Sequence, residues 1–313
     1  MLARIARELF WLGRNLARAE HTARMLDGVF QFMLQGEPDE RAGVRLDWEA
    51  VVAIMGVTSP EAAERREDVV RRVTLDPFEP GSVASCVGRA RDEARTVRDV
   101  ISADMWEAIN TTHLGMRDPS MEARLHTGPY AVFQYVKERC AMFWGLTART
   151  MLRDEASAFL AAGRRIESAD MILRMLRVAL PPTSADGDPH TGEALALLHA
   201  VGGFQAYRRA VPAPPNASPV ARFLLYERTY PNSVAASIDS LHEALHDADA
   251  DPRNSDPVLR VRRLGADLEF RSHAERGGDL HETCQDIQEE LQRVDRDIAT
   301  AYFAGASGTM AVT

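Results

Sequence analysis

The eighteen residues LFWLGRNLARAEHTARML at 9–26 return as FLAAGRRIESADMILRML at 159–176, an offset of 150 positions. Six positions are identical: Gly13/Gly163, Arg14/Arg164, Ala19/Ala169, Arg24/Arg174, Met25/Met175 and Leu26/Leu176. Leu16/Ile166 and Glu20/Asp170 exchange like for like. A second recurrence follows at offset 151, where Pro80, Ser82, Val83 and Ala84 come back as Pro231, Ser233, Val234 and Ala235. Asp76 and Glu227 stand four residues ahead of the two prolines. One short match can arise by chance in an Arg- and Ala-rich chain. Two at nearly one offset predict a tandem duplication with its seam near residue 150. Two copies are too few for a solenoid, so the halves are expected to pack on each other as one unit.

The repeated segment reads as a helix. Ile5, Leu9, Leu12, Leu16, Ala19, Ala23 and Leu26 advance in alternating steps of four and three, the stripe of a core-facing helix. The same patterning runs through 47–56, 82–110, 130–151, 155–179, 193–210, 232–247, 257–275 and 279–303, and β-type alternation is scarce. Pro-, Gly-, Asp- and Ser-rich stretches at 36–43, 115–120, 181–192, 212–219 and 248–257 read as the connecting loops. The expected fold is all-α, a multi-helix bundle of two internally duplicated halves, about 1–150 and 151–304. Residues 305–313 are expected to form a flexible tail.

Composition narrows the function classes. Lys and Arg number 37 against 46 Asp and Glu, a net charge of −9, which disfavours a phosphate-binding surface and hence nucleic acid. The three cysteines, Cys86, Cys140 and Cys284, stand far apart without a CxxC pair, so they read as buried small hydrophobes in a reducing cytosol. No window approaches eighteen consecutive apolar residues. The Arg-rich amino terminus carries Glu8 and Glu20 and no cleavage-like motif, so it does not read as a transit peptide. The expectation is a cytoplasmic chain without a membrane partner.

Within the repeat, Gly13, Ala17, Glu20 and Arg24 lie on one flank of the helix, as do Gly163, Glu167, Asp170 and Arg174. A glycine on that flank admits a close backbone neighbour, and Glu20→Arg24 and Asp170→Arg174 have the favourable i,i+4 order. Charges on a helix with apolar groups on several sides need partners across an interface. Two readings follow: an ion network that is purely structural, or a polar pocket between the halves for an anionic or amide-bearing ligand, which the planar fork of Arg suits.

FWLGRNLARAEHTARML, PGSVASCVGRARDEARTVRDVISADMWEAIN, GLTARTMLRDEASAFLAAGRRIESADMILRML and FLLYERTYPNSVAASI, in this order, resemble the bacterial Alpha-E family, all-helical and of unknown function. The resemblance spans residues 1 to about 303. It implies a setting beside, or fused to, a circularly permuted ATP-grasp protein, often with a transglutaminase-like peptidase nearby, and so the synthesis and processing of a peptide or amide bond. The family's GRxxERAE-type motif falls on Gly13, Arg14, Arg18, Ala19 and Glu20, and again on Gly163, Arg164, Glu167, Ala169 and Asp170. Ala17 stands where the first copy usually has Glu, and Ser168 where the second usually has Arg. Neither half is complete, which points to a structural or binding role or to one composite site drawn from both. Arg153, Asp154 and Glu155 also match, and their plain reading is helix initiation, with acidic groups at the positive end of the helix.

Two other patterns bear on chemistry. Arg91, Arg95 and Arg98 form a stripe near Trp106, more in keeping with a salt-bridged face and a core anchor than with a binding platform. His242-Glu243-Ala244-Leu245-His246 matches HExxH, with Glu269 23 residues on as a conceivable third ligand. Asp247 follows the second histidine, and the sequence offers no strands to wall a zincin cleft, so His242, Glu243 and His246 read as decoys. Glu243 and His246 also form an ExxH pair, but no second pair completes a di-iron set. No cofactor is called for. The sequence therefore points to a helical accessory protein that scaffolds an ATP-grasp ligase or presents its substrate. The alternative is an enzyme acting on peptide or amide bonds through Arg14, Arg18, Glu20, Arg164, Glu167 and Asp170 around a central pocket, with Arg24 and Arg174 in the wider polar network. A zinc hydrolase is the third reading.

Overall fold

The computed structural model describes residues 1–34, 48–56, 65–180, 191–273 and 279–304. The loops expected at 36–43 and over 181–190, and the tail at 305–313, lie outside these residues. Among the described residues there are fourteen helices and no strand. They are α1 (Ala3–Leu34), α2 (Trp48–Met55), α3 (Arg66–Leu75), α4 (Val83–Thr96), α5 (Ala103–Met116), α6 (Ser120–Thr127) and α7 (Pro129–Thr150). There follow α8 (Glu155–Ala179), α9 (Thr191–Ala200), α10 (Phe204–Ala210), α11 (Ala217–Tyr226), α12 (Val234–Ala248), α13 (Asp256–His273) and α14 (Leu280–Tyr302).

Two expected helices are each split. The stretch 82–110 breaks at Val97–Ser102, because Ser102 caps α5 by accepting from the Met105 amide. The stretch 193–210 breaks at Gly202, whose φ of +69° lies in the left-handed region that suits glycine. Helices α3, α6 and α11 were not anticipated. Each is 8–10 residues long, too short for periodicity to declare itself.

The long helices α1 and α8 form the centre. α1 packs on α4, α7, α8 and α9, while α8 packs on α1, α2, α12 and α14. Sixteen residues of α8 are buried, from Ala156 to Ala179, so the helix is enclosed on most sides. The crossing of α1 and α8 is set by the two repeat glycines. A Cβ on Gly13 would stand 2.2 Å from the Leu160 carbonyl oxygen, and one on Gly163 would stand 1.9 Å from that of Phe10. Positions 10 and 160 are themselves related by the 150-residue offset, so the contact is reciprocal.

The same correspondence recurs outward. Ser82 caps α4 through the Ser85 amide, and Ser233 caps α12 through the Ala236 amide. The Asp76 carboxylate accepts from the Phe78 amide at 2.8 Å, and the Glu227 carboxylate from the Thr229 amide at 3.1 Å. Gly56 at the end of α2 has a φ of +66° and faces Arg174, while Gly202 after α9 faces Arg24. All three cysteines are free and buried, as small hydrophobes would be. No helix among the described residues is long and apolar enough to cross a membrane.

Candidate functional site

The glycine crossing brings the charged flanks of α1 and α8 face to face. Arg14 and Arg18, one turn apart on α1, both reach Glu167 of α8. Arg14 Nε donates to Glu167 Oε2 at 3.0 Å, and Arg18 Nε donates to the other carboxylate oxygen. Arg14 Nη1 also donates to both oxygens of Asp295 on α14, at 2.9 Å each, and its guanidinium lies 4.8 Å from the Trp11 ring centroid. The Glu167 side chain is 1% exposed. Burial by itself would raise its carboxyl, but Arg14 and then Arg18 outweigh that and hold it at about 2. Each oxygen of the Glu167 carboxylate thus accepts a charge-assisted hydrogen bond from a fixed cation.

Across the reciprocal crossing the partners differ. Arg164 stands 150 positions after Arg14, and Ala17 stands 150 positions before Glu167, while Trp144 stands 151 positions before Asp295. The guanidinium of Arg164 lies over the Trp144 ring, 4.3 Å from its centroid, and makes no hydrogen bond or ion pair among the described residues. Burial and then neighbouring Arg165 push it down to about 10. Glu20, the nearest carboxylate acting on it, is engaged elsewhere. It accepts from Arg24 Nη2 at 2.9 Å and from Trp144 Nε1 at 2.9 Å. Burial works to raise Glu20, yet His21, Arg24 and Arg164 together hold it below the usual range. His21 is buried beside Ser168, with Nε2 3.1 Å from its hydroxyl and Nδ1 unpartnered.

The remaining residues singled out in the sequence fall into place around this centre. Asp170 accepts from Arg174 Nε at 2.7 Å, the i,i+4 pair, and from Gln288 Nε2 at 2.9 Å. Asp154 is the N-cap of α8 in a reciprocal capping box with Ser157. Glu155 meets the amino-terminal ammonium at 2.7 Å, and Arg153 is exposed. These three stand at the start of α8 and do not join the charged centre. Asp295, Trp144, Asn15 and Glu93 were not foreseen. Asn15 donates to Glu93 Oε1 at 2.8 Å and accepts from Arg89 at 3.0 Å. Glu93 Oε2 is buried without a partner, and burial pushes this carboxyl up to about 8.

The two histidines of HExxH share one outer face of α12, with ring centroids 6.2 Å apart. His246 lies 3.7 Å from Asp247, and Glu269 is 3.5 Å from Arg228. Among the described residues, no group of three His, Cys, Asp or Glu side chains is placed to hold a metal. Trp106 is half-buried and packs against the hydrophobic core. Arg98 and Arg91 lie over its ring, at 4.6 and 5.6 Å from the centroid. Two cavities lie away from the charged centre. One of about 360 Å³ is walled by Asp249, Asp251, Asp256 and Asp297. The other, of about 650 Å³, is lined by Trp48, Arg66, Arg71, Glu122 and Leu125 among others.

Comparison with known proteins matches residues 1–303 to the model of a family called Alpha-E, described as a predicted alpha-helical domain with a conserved ER motif. An uncharacterised protein of Mycobacterium bovis is 26% identical over 292 residues, covering 87% of this chain. An uncharacterised protein of Mycobacterium tuberculosis is 25% identical over the same length. The chain spans 33% of the length of these relatives. No solved structure matches.

Proposed function

The chain belongs to the Alpha-E family, and within it we propose that this protein is a non-catalytic helical partner of an ATP-grasp-type peptide or amide ligase. It would scaffold the ligase or present its substrate, with a transglutaminase-like peptidase acting in the same system in the cytoplasm. The observation that carries a binding role over a catalytic one is the state of Glu167. A general base needs an available lone pair and a proton affinity near the working pH. Glu167 is buried with each oxygen engaged by a fixed cation, Arg14 or Arg18, and its carboxyl is held at about 2, far below the working pH. The choice of ligase rests on what the family resemblance implies. That the curated relatives are about three times longer suits a helical module working beside other domains.

We also infer that the halves are tandem duplicates that have merged into one body. The support is the reciprocal glycine contact at the α1/α8 crossing, with Gly13 against Leu160 and Gly163 against Phe10. Each copy of the ER-type motif has lost one member, Glu at 17 and Arg at 168. The survivors, Arg18 and Glu167, pair with each other across the crossing.

The test is to purify this chain with a circularly permuted ATP-grasp protein of the kind the family resemblance implies. The expected results are co-elution on size-exclusion and a ligase rate, read as ATP-dependent phosphate release, that rises when this chain is added. Separate elution together with an unchanged rate would overturn the proposal.

A further inference from the structure

We propose that Arg164, lying on the Trp144 indole, is a binding site for the carboxylate of a small ligand, at the place where the second crossing lacks its own acid. The argument begins with the first crossing, where the equivalent cation is fully matched. Arg14 holds Glu167 through Nε and Asp295 through Nη1, two carboxylates on one guanidinium. The offset of 150 to 151 places Ala17 and Trp144 at the corresponding positions around Arg164. Both carboxylates are therefore missing on this side, while the arginine remains.

What holds Arg164 there also prepares it to bind. The Arg164 guanidinium carbon stands 4.3 Å from the Trp144 ring centroid, a cation–π contact that uses none of its N–H donors, so they remain free to take a planar, bidentate anion. Its donors make no hydrogen bond among the described residues, and its nitrogens are not among the buried polar atoms left without a partner, so they still touch solvent. Glu20 acts on it through its charge but makes no hydrogen bond to it, and both Glu20 oxygens already accept from Arg24 and Trp144. Arg165 and Arg24 add to the positive potential at this spot. A part-buried cation with no hydrogen-bonded acid has lost some of its hydration, and an anion supplied from outside offsets that loss. The missing partners are carboxylates in the matched crossing, which argues for a carboxylate in preference to phosphate.

This inference does not depend on the ligase reading, since the isolated full chain either binds a carboxylate or does not. The experiment is an NMR titration of the protein labelled with nitrogen-15 arginine, following the Nε–H signals. Arg164→Lys assigns the Arg164 signal by its disappearance. Acetate, inorganic phosphate and chloride are titrated separately at matched ionic strength. The expected result is a saturable shift of the Arg164 signal with acetate that chloride does not reproduce. In Ala17→Glu, which supplies the carboxylate within the chain, acetate affinity should fall about tenfold or more. Should that variant fail to fold, the thermal midpoint of the wild type must rise with acetate over chloride, and that of Arg164→Gln must not. A shift that chloride reproduces, saturation by phosphate without acetate, or unchanged affinity in a folded Ala17→Glu would each overturn the proposal.

Discussion

Glu167→Ala is the substitution that tests whether the composite charge cluster holds α1 against α8. The removed carboxylate is 1% exposed and accepts from two guanidinium groups, one of them 3.0 Å away. Breaking a buried, hydrogen-bonded pair from one side costs about 3–5 kcal/mol, because it strands the opposite charge. Two features of the site draw the expectation to the lower end. Arg14 keeps Asp295 after the mutation, and the Arg18 side chain is 25% exposed, so water takes over part of its solvation. The titration behaviour leads to the same size: the drop from 4.5 to about 2, at ~1.4 kcal/mol for each tenfold in acidity, is about 3 kcal/mol. Denaturant unfolding at neutral pH should therefore show a loss of about 3 kcal/mol, with a fall in Tm of about 4–5 °C for a chain of this size. Glu167→Gln keeps one acceptor and should lose less.

The pH dependence gives the sign. The folded carboxyl sits below its unfolded value of 4.5, so the stabilisation is present above that pH. It is lost as pH falls from 4.5 toward about 2, and Glu167→Ala should lack that part of the acid limb. A loss below about 1 kcal/mol, with an unchanged acid limb, would refute the reasoning. It would mean that desolvation cancels the attraction and that the glycine packing alone sets the crossing.

Other substitutions probe separate parts of the architecture. Gly13→Ala and Gly163→Ala should each cost about 2–3 kcal/mol, since the new Cβ would meet backbone 2.2 or 1.9 Å away. Their double variant should cost less than the sum, because the first forces the helices apart for both. Glu93 is held up at about 8 by burial, so the folded state keeps its proton where the unfolded chain has released it. The wild type should lose stability as pH rises from 4.5 through about 8, and Glu93→Gln should flatten that decline in pH-resolved denaturant unfolding. His242→Ala and His246→Ala, on the outer face of α12, should change stability by less than about 0.5 kcal/mol and leave the zinc content measured by elemental analysis unaltered.

The long helices and the importance of the glycines were legible because their signals are local. Alternating three- and four-residue steps mark α1 without reference to any other segment. A glycine on the charged flank of each copy implied a close helix approach, and the structure supplies it. The partners of those charges were not legible. Asp295 lies 281 positions from Arg14, on a helix whose acidic residues resemble any solvated face. Carrying the 151-residue offset of the Pro80/Pro231 match on to α7 and α14 would have set Trp144 against Asp295 and exposed the asymmetry, but no residue identity there draws attention to itself. The splits at Val97–Ser102 and at Gly202 were missed for another reason. Apolar periodicity continues across both breaks, while a serine cap and a left-handed glycine end the helices.

The two departures from the repeat motif make electrostatic sense only when taken together. In the first crossing, two arginines, Arg14 and Arg18, face two acids, Glu167 and Asp295, and the cluster is neutral. The second crossing has an alanine at 17 and a tryptophan at 144 in place of the acids. An arginine at 168 beside Arg164 would then put two cations together with neither acid of the matched side to pair them. At the few ångströms that separate such groups, like charges repel by several kcal/mol even in a moderately polarisable interior. Serine at 168 removes one of them, and its hydroxyl turns to the Arg164 carbonyl and to His21. The remaining cation is tolerable because the Trp144 face is worth about 1–2 kcal/mol once desolvated and Glu20 lies near enough to act on it. On this account Ser168→Arg alone should destabilise the protein, and adding Ala17→Glu should recover most of the loss by rebuilding the first crossing's geometry in the second. A double-mutant cycle in denaturant measures the coupling. If the two changes prove additive, the halves do not share one charge balance, and Arg164 owes its isolation to something other than the missing glutamate.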